Sequence, residues 1–194
     1  ITHKVSIIQF LPESYAARLE TTPGVVEVLH QTYFGGIYQR PSNFFMQCPV
    51  HPEKLLKLYP EYLLPEDQKK AWLADRTCAI VGRQTADRFG FKVGDRIPIQ
   101  ATIFRKKGGS SSWEFNLCGI YDADKKGVDT TPFFFNYEYF DEARQFGQGQ
   151  VGWYVIRIDD PAAAPAIAER IDAQFANSFA ETKTTTEKAF VQAF

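Results

Sequence analysis

Apolar and polar positions alternate most clearly where Ile97, Ile99, Ala101 and Ile103 interleave with Pro98, Gln100 and Thr102, the period-two signature of a half-buried strand. Trp113, Phe115 and Leu117 alternate with Glu114 and Asn116 beyond an intervening loop, RKKGGSSS. The pair predicts a long hairpin, residues 97–104 and 113–121, with one face buried. Ahead of it, Ala79, Ile80 and Val81 form a compact apolar run that Gly82 closes. Ala86 and Phe89, three apart, share one face of a short helix. Gly90 stands where a helix ends in a left-handed cap, with Phe91 as its apolar partner, and Gly94-Asp95 supplies the next turn.

The two ends of the chain carry a different pattern. Residues 4–10 read as a strand through Val5, Ile7, Ile8 and Phe10; Pro12 then suits a first helical position, and Tyr15 and Leu19 share a face. Pro23-Gly24 ends that helix, a β-branched run from Val25 continues through Tyr33 and Phe34 to a turn at Gly35-Gly36, and residues 43–50 form a further strand. This strand–helix–strand–strand order is a split βαβ pattern. Near the other end residues 152–159 read as a strand, and Asp160-Pro161 is a good helix start. Ile167, Ile171, Phe175 and Phe179 then recur every four residues, an amphipathic helix facing a sheet.

The ends therefore read as halves of one subdomain, 1–51 with 151–194, and residues 52–150 as an insertion with its own core. Inside the insertion residues 53–58 and 65–73 are predicted helices, with Trp72 turned inward, and the aromatic run 132–140 (PFFFNYEYF) is core. The expected fold class is α+β.

Composition narrows the function classes. A 194-residue chain fits one domain or two small ones, and 44% hydrophobic with 15% aromatic residues is globular. Lys and Arg number 22 against 23 Asp and Glu, so no net field favours nucleic acid. No apolar run approaches the ~18 residues of a membrane helix. The chain begins with Ile1, has no signal peptide, and its final helical stretch stops without a cap. Those features read as an excised domain with membrane helices just outside it. Cys48, Cys78 and Cys118 are too few and scattered for a disulfide scaffold. The residues favour buried thiols, with a single Cys78–Cys118 bridge as the alternative in an oxidising compartment.

Chemistry-bearing motifs are weak. Asp122-Ala123-Asp124-Lys125-Lys126-Gly127 suggests a calcium loop, but Lys126 takes the third ligand position and Phe133 the place of the bidentate glutamate. Cys48 and His51 have metal-like spacing without a second pair. His3, His30 and His51 lie outside any nucleophile or zinc-protease context, and no phosphate-binding loop is present. Trp153 and Tyr154 suit the core better than a surface patch. The expectation is no catalytic residue, no cofactor and no metal. Arg105, Lys106 and Lys107 place three adjacent cations beside flexible Gly and Ser, either a solvated hairpin tip or a docking contact for an acidic partner.

A strand, then GRQTADRFGFKVGDRIPI (residues 82–99), then a long hairpin resembles the extracytoplasmic domain of MacB/FtsX-type ABC transporter permeases. In that family a phrase of this form opens the smaller of two subdomains. ETKTTTEKAF (residues 181–190) is similar to the segment leading into the family's second membrane helix, and TTPGVVEV (residues 21–28) to its first helix-to-strand turn. The resemblance implies a discontinuous porter-like, ferredoxin-like subdomain with a smaller Sabre-like α/β insertion, placed on the periplasmic face of a bacterial inner membrane. It implies partners as well: a cytoplasmic ATPase subunit reached through membrane helices, a second permease copy, and a periplasmic adaptor or substrate protein. The segment HPEKLLKLYPEYLLPEDQKKAW (residues 51–72) is not shared by every branch, so efflux, lipoprotein release and hydrolase control stay open. A ligand-binding sensor domain between two membrane helices is the alternative from another class.

Overall fold

The computed structural model describes residues 1–193, and they form an α+β fold. In chain order come β1 (Thr2–His3), β2 (Leu11–Pro12), α1 (Tyr15–Glu20) and β3 (Val25–Gln31). The middle supplies β4 (Gln47–Val50), α2 (Pro52–Leu58), β5 (Tyr62–Leu63), α3 (Glu66–Ala74), β6 (Cys78–Gly82) and α4 (Arg83–Phe89). It continues with β7 (Arg96–Gln100), β8 (Ser112–Ala123), β9 (Phe133–Asn136) and α5 (Tyr137–Ala143). The last part returns with β10 (Gln150–Val151), β11 (Trp153–Ile158), α6 (Ala164–Gln174), β12 (Thr182–Lys183) and α7 (Glu187–Ala193). Two compact units result: Ile1–Thr32 with Gly149–Phe194, and Tyr33–Gln148.

The discontinuous unit is built from antiparallel ribbons. β11 pairs with β3, Trp153 opposite Gln31, while β2 pairs with β10 and β1 with β12. Ile167, Ile171 and Phe175 are buried as their spacing predicts, and Leu19 and Tyr15 meet them from α1, with Tyr15 stacked on Phe175 at 4.0 Å. Gly24 adopts φ +92, and a Cβ there would lie 2.7 Å from Ile167 Cδ1, so only glycine allows the turn to close on α6.

Four expectations fail in this unit. Residues 4–10 form no strand beyond His3; they bend through a turn closed by Gln9 N–H to Ser6 O, leaving Val5 76% and Ile8 83% exposed. The run has no period of two, and its ladder partner ends at Glu181, which accepts from Lys4 N–H. Pro12 lies in a strand rather than a first helical turn, and α1 begins at Tyr15. The first strand pairs with β12 rather than β11, and beside it Ile1 exchanges backbone hydrogen bonds with Tyr154 of β11 at 2.8 and 2.9 Å. Phe179 lies beyond the end of α6 and is 99% exposed.

The continuous unit has the mixed sheet β4-β9-β6-β8-β5, with β7 paired to β8. β4 runs parallel to β9, Cys48 opposite Phe134, so the strand expected to complete the first subdomain pairs here instead. Phe34, Trp113, Phe115, Phe133 and Phe135 are nearly inaccessible and meet edge to face, with Phe104 stacked on Phe34, contacts worth about 0.5–1.5 kcal/mol per pair beyond burial. PFFFNYEYF divides into strand β9 and helix α5 at Asn136, whose side chain caps the helix by accepting from Tyr139 N–H at 3.1 Å. Gly90 takes the left-handed cap at φ 69, with Phe91 N–H donating to Ala86 O. Gly82 is required for space, because a Cβ would meet Thr130 O at 1.9 Å.

Candidate functional site

Arg105, Lys106 and Lys107 lie in the loop that joins the antiparallel strands β7 and β8, Gln100 opposite Ser112, but the first strand is shorter than expected. β7 stops at Gln100, and Ile103, expected inside, is 43% exposed. Phe104 turns inward instead, where Trp113 Nε1 donates to its carbonyl at 2.8 Å. That diversion carries the basic segment to the end of α5: Gln145 N–H donates to Arg105 O and Lys107 N–H to Ala143 O, both at 2.8 Å. Gly108 and Gly109, at φ +92 and +94, let the loop double back so that Lys106 N–H reaches Ser110 O. The backbone is thus held on two sides. Arg105 and Lys107 are exposed, while Lys106 is half-buried with its ammonium 5.2 Å from the Trp113 ring centre.

Sequence reasoning missed the cation that supports this segment. Arg144 is completely buried, its Nε bonded to Asp141 at 3.0 Å and its guanidinium 4.6 Å over the Phe140 ring. Its position three residues after Asp141 at a helix end was the available signal.

Cys78 and Cys118 form a disulfide with Cα atoms 5.5 Å apart, against the expectation of two thiols. β6 and β8 are adjacent parallel strands, and their register shifts between Ala79 and Ile80, opposite Leu117 and Gly119. Cys118 is the extra residue of that bulge, which turns its side chain toward Cys78. Strand adjacency and a bulge are not visible in residue spacing. Cys48 remains a thiol, and full burial pushes its pKa up.

The other motifs resolve into structural contacts. Asp122 takes a two-pronged interaction from Arg83, Nε at 3.0 Å, and this hydrogen bond raises the arginine's pKa. His51 packs edge-on against Tyr137. Trp153 and Tyr154 are buried. A groove of about 560 Å³ runs beside β5, lined by Leu56, Pro60, Leu63, Leu64, Lys69 and Asp122.

In the discontinuous unit one carboxylate organises the return segment. Asp172 of α6 accepts from the Thr182 hydroxyl at 2.8 Å, the Thr184 hydroxyl at 2.7 Å and Thr184 N–H at 3.0 Å. β12 is thereby clamped on α6 while it pairs with β1, Thr2 opposite Lys183. Glu181, just before it, accepts from Asn177 N–H and Lys4, and these bonds lower its pKa. Among the described residues no helix is long and apolar enough to cross a membrane.

No protein-family model and no curated protein sequence matches the chain. Solved structures do. The extracellular domain of the noncanonical ABC-type transporter YknZ from Gram-positive bacteria aligns over 91% of this chain and 90% of its own, with TM-score 0.59 and 11% identity. The periplasmic region of MacB from Actinobacillus actinomycetemcomitans covers 96% of this chain and 84% of its own at TM-score 0.59 and 11% identity. A domain of a putative permease protein from Porphyromonas gingivalis covers 100% and 94%, with TM-score 0.53 and 11% identity. The fold is thus shared with extracellular and periplasmic domains of ABC transporter permeases.

Proposed function

We propose that this chain is the non-catalytic extracytoplasmic domain of an ABC transporter permease in a bacterial inner membrane. It couples ATP hydrolysis by a cytoplasmic ATPase subunit to export, lipoprotein release or activation of a partner, by movement rather than chemistry. The observation that carries the reading is the β1–β12 pairing clamped by Asp172, together with the shared fold. A ribbon of this kind brings the first and last strands of a discontinuous unit side by side, as a domain hung between two membrane helices requires. The disulfide supports an oxidising, extracytoplasmic setting, since such bonds are rare where thiols are kept reduced.

The permease works as a dimer, and the Arg105–Lys106–Lys107 segment docks a periplasmic adaptor or substrate protein with a complementary acidic surface. A backbone held on two sides presents Arg105 and Lys107 at little ordering cost, which favours recognition. The test is ATP-driven transport by the full-length permease with its ATPase in membrane vesicles. Replacing Arg105, Lys106 and Lys107 by Ser is expected to lower transport while basal ATP hydrolysis persists. Unchanged transport would remove the docking role, and a full-length protein that associates with no ATPase would remove the permease reading itself.

A further inference from the structure

α7 lies on the surface of its unit. None of its residues is buried, and a cleft of about 60 Å³ lined by Thr184, Thr185, Glu187 and Phe190 separates it from β11. An aromatic contact joins the two: Phe190 lies 5.1 Å from the Trp153 ring. Trp153 is itself buried, and its indole N–H donates to Gln31 Oε1 at 3.1 Å. Gln31 ends β3, and its carbonyl accepts from Gly152 N–H at 2.9 Å, while Thr32 Oγ1 accepts from the same amide at 3.1 Å. Thr32 is the last residue before the chain crosses into the continuous unit.

We infer that Trp153 is the joint through which displacement of α7 reaches the Gln31–Thr32 crossing, a role that rests on the permease reading. The cleft leaves α7 room to shift, and the ring contact makes Trp153 follow. Trp153 cannot tilt without lengthening the indole bond to Gln31, so the shift arrives at the residues that lead out of the unit. A coupling of this kind needs an element with two arrangements and a contact that distinguishes them, here α7 docked or undocked on Trp153.

Hydrogen exchange read by NMR on the 194-residue chain tests it. Phe190→Ala is expected to speed exchange of the Trp153 indole N–H and the Gly152 amide about three- to tenfold, in keeping with loss of one aromatic contact governing local opening. Phe190→Leu, which keeps an apolar foot, is expected to restore most of the protection. Val191→Ala, at a 65% exposed position on the same helix, is expected to leave both sites unchanged. Unaltered Trp153 indole exchange in Phe190→Ala, or an equal rise in Val191→Ala, would overturn the inference. The readout needs neither membrane nor ATP, so its failure is distinct from failure of the transport assay.

Discussion

The two units are held together by different physics. The continuous one buries a dense aromatic cluster and ties β6 to β8 by a covalent bond. Among the described residues the discontinuous one has two-stranded ribbons over a core that includes Leu19, Val28, Leu29, Ile167, Ile171 and Phe175, and polar tethers fix its turns and return segment. Arg170 donates to Pro23 O at 2.7 Å, Gln174 to the Thr22 hydroxyl at 2.6 Å, and Asp172 holds the return segment. Packed aromatic cores resist local opening, whereas isolated hydrogen bonds near the surface each contribute about 1 kcal/mol and yield singly. For the proposed transmission of motion, the expectation is that the tethered unit opens locally more readily than the aromatic unit.

That contrast is most severely strained by Phe115→Ala. Phe115 is 1% exposed, with its ring 4.6 Å from Phe135, and the truncation is expected to cost about 3–5 kcal/mol. Denaturant unfolding would measure it; a loss below about 1 kcal/mol would mean that the cluster is not tightly packed. Cys118→Ser comes next, at about 2–4 kcal/mol, because the bridge closes a 40-residue separation in the unfolded chain. Comparing unfolding midpoints with and without a thiol reductant gives the same quantity independently, and Cys118→Ser should abolish the reductant's effect.

Asp172→Ala removes three accepted hydrogen bonds and is expected to cost about 1–3 kcal/mol, confined to its own unit. Amide exchange should quicken at Thr182 and Thr184 and not at Ile80 or Phe134. Glu181 gives the smallest effect. Its folded pKa lies below the ordinary carboxylate range, chiefly through the Asn177 N–H, so its stabilisation is complete above that range and disappears as pH falls through the folded value. Glu181→Gln should flatten this acid limb more than Lys4→Ala does, because the lysine substitution leaves the Asn177 N–H bond in place.

Much of this architecture was legible in the residues, and the failures share a cause. The spacing of Ile167, Ile171 and Phe175 revealed a helix because that helix has a single buried face. Gly90 revealed its cap because the left-handed conformation demands glycine. The residues at 4–10 are as apolar as a strand, yet a strand also needs a partner, and β12 stops short. The disulfide depends on which strands are neighbours and on a bulge, both tertiary facts. Arg144 and Asp172 look like ordinary surface charges along the sequence; only the fold brings the aromatic rings and threonines that hold them. The basic segment was visible by composition, but its anchoring to Ala143 and Gln145 was not.

The proposal that this domain couples ATP hydrolysis to transport through its clamped β1–β12 ribbon is tested most directly with Asp172→Ala in the full-length permease and its ATPase. ATP hydrolysis and ATP-driven transport would be measured in the same vesicles. Hydrolysis close to the unmodified rate with most transport lost is the expected result, since the ATPase keeps turning while its motion no longer reaches the domain. Transport and hydrolysis kept in their original ratio would contradict it.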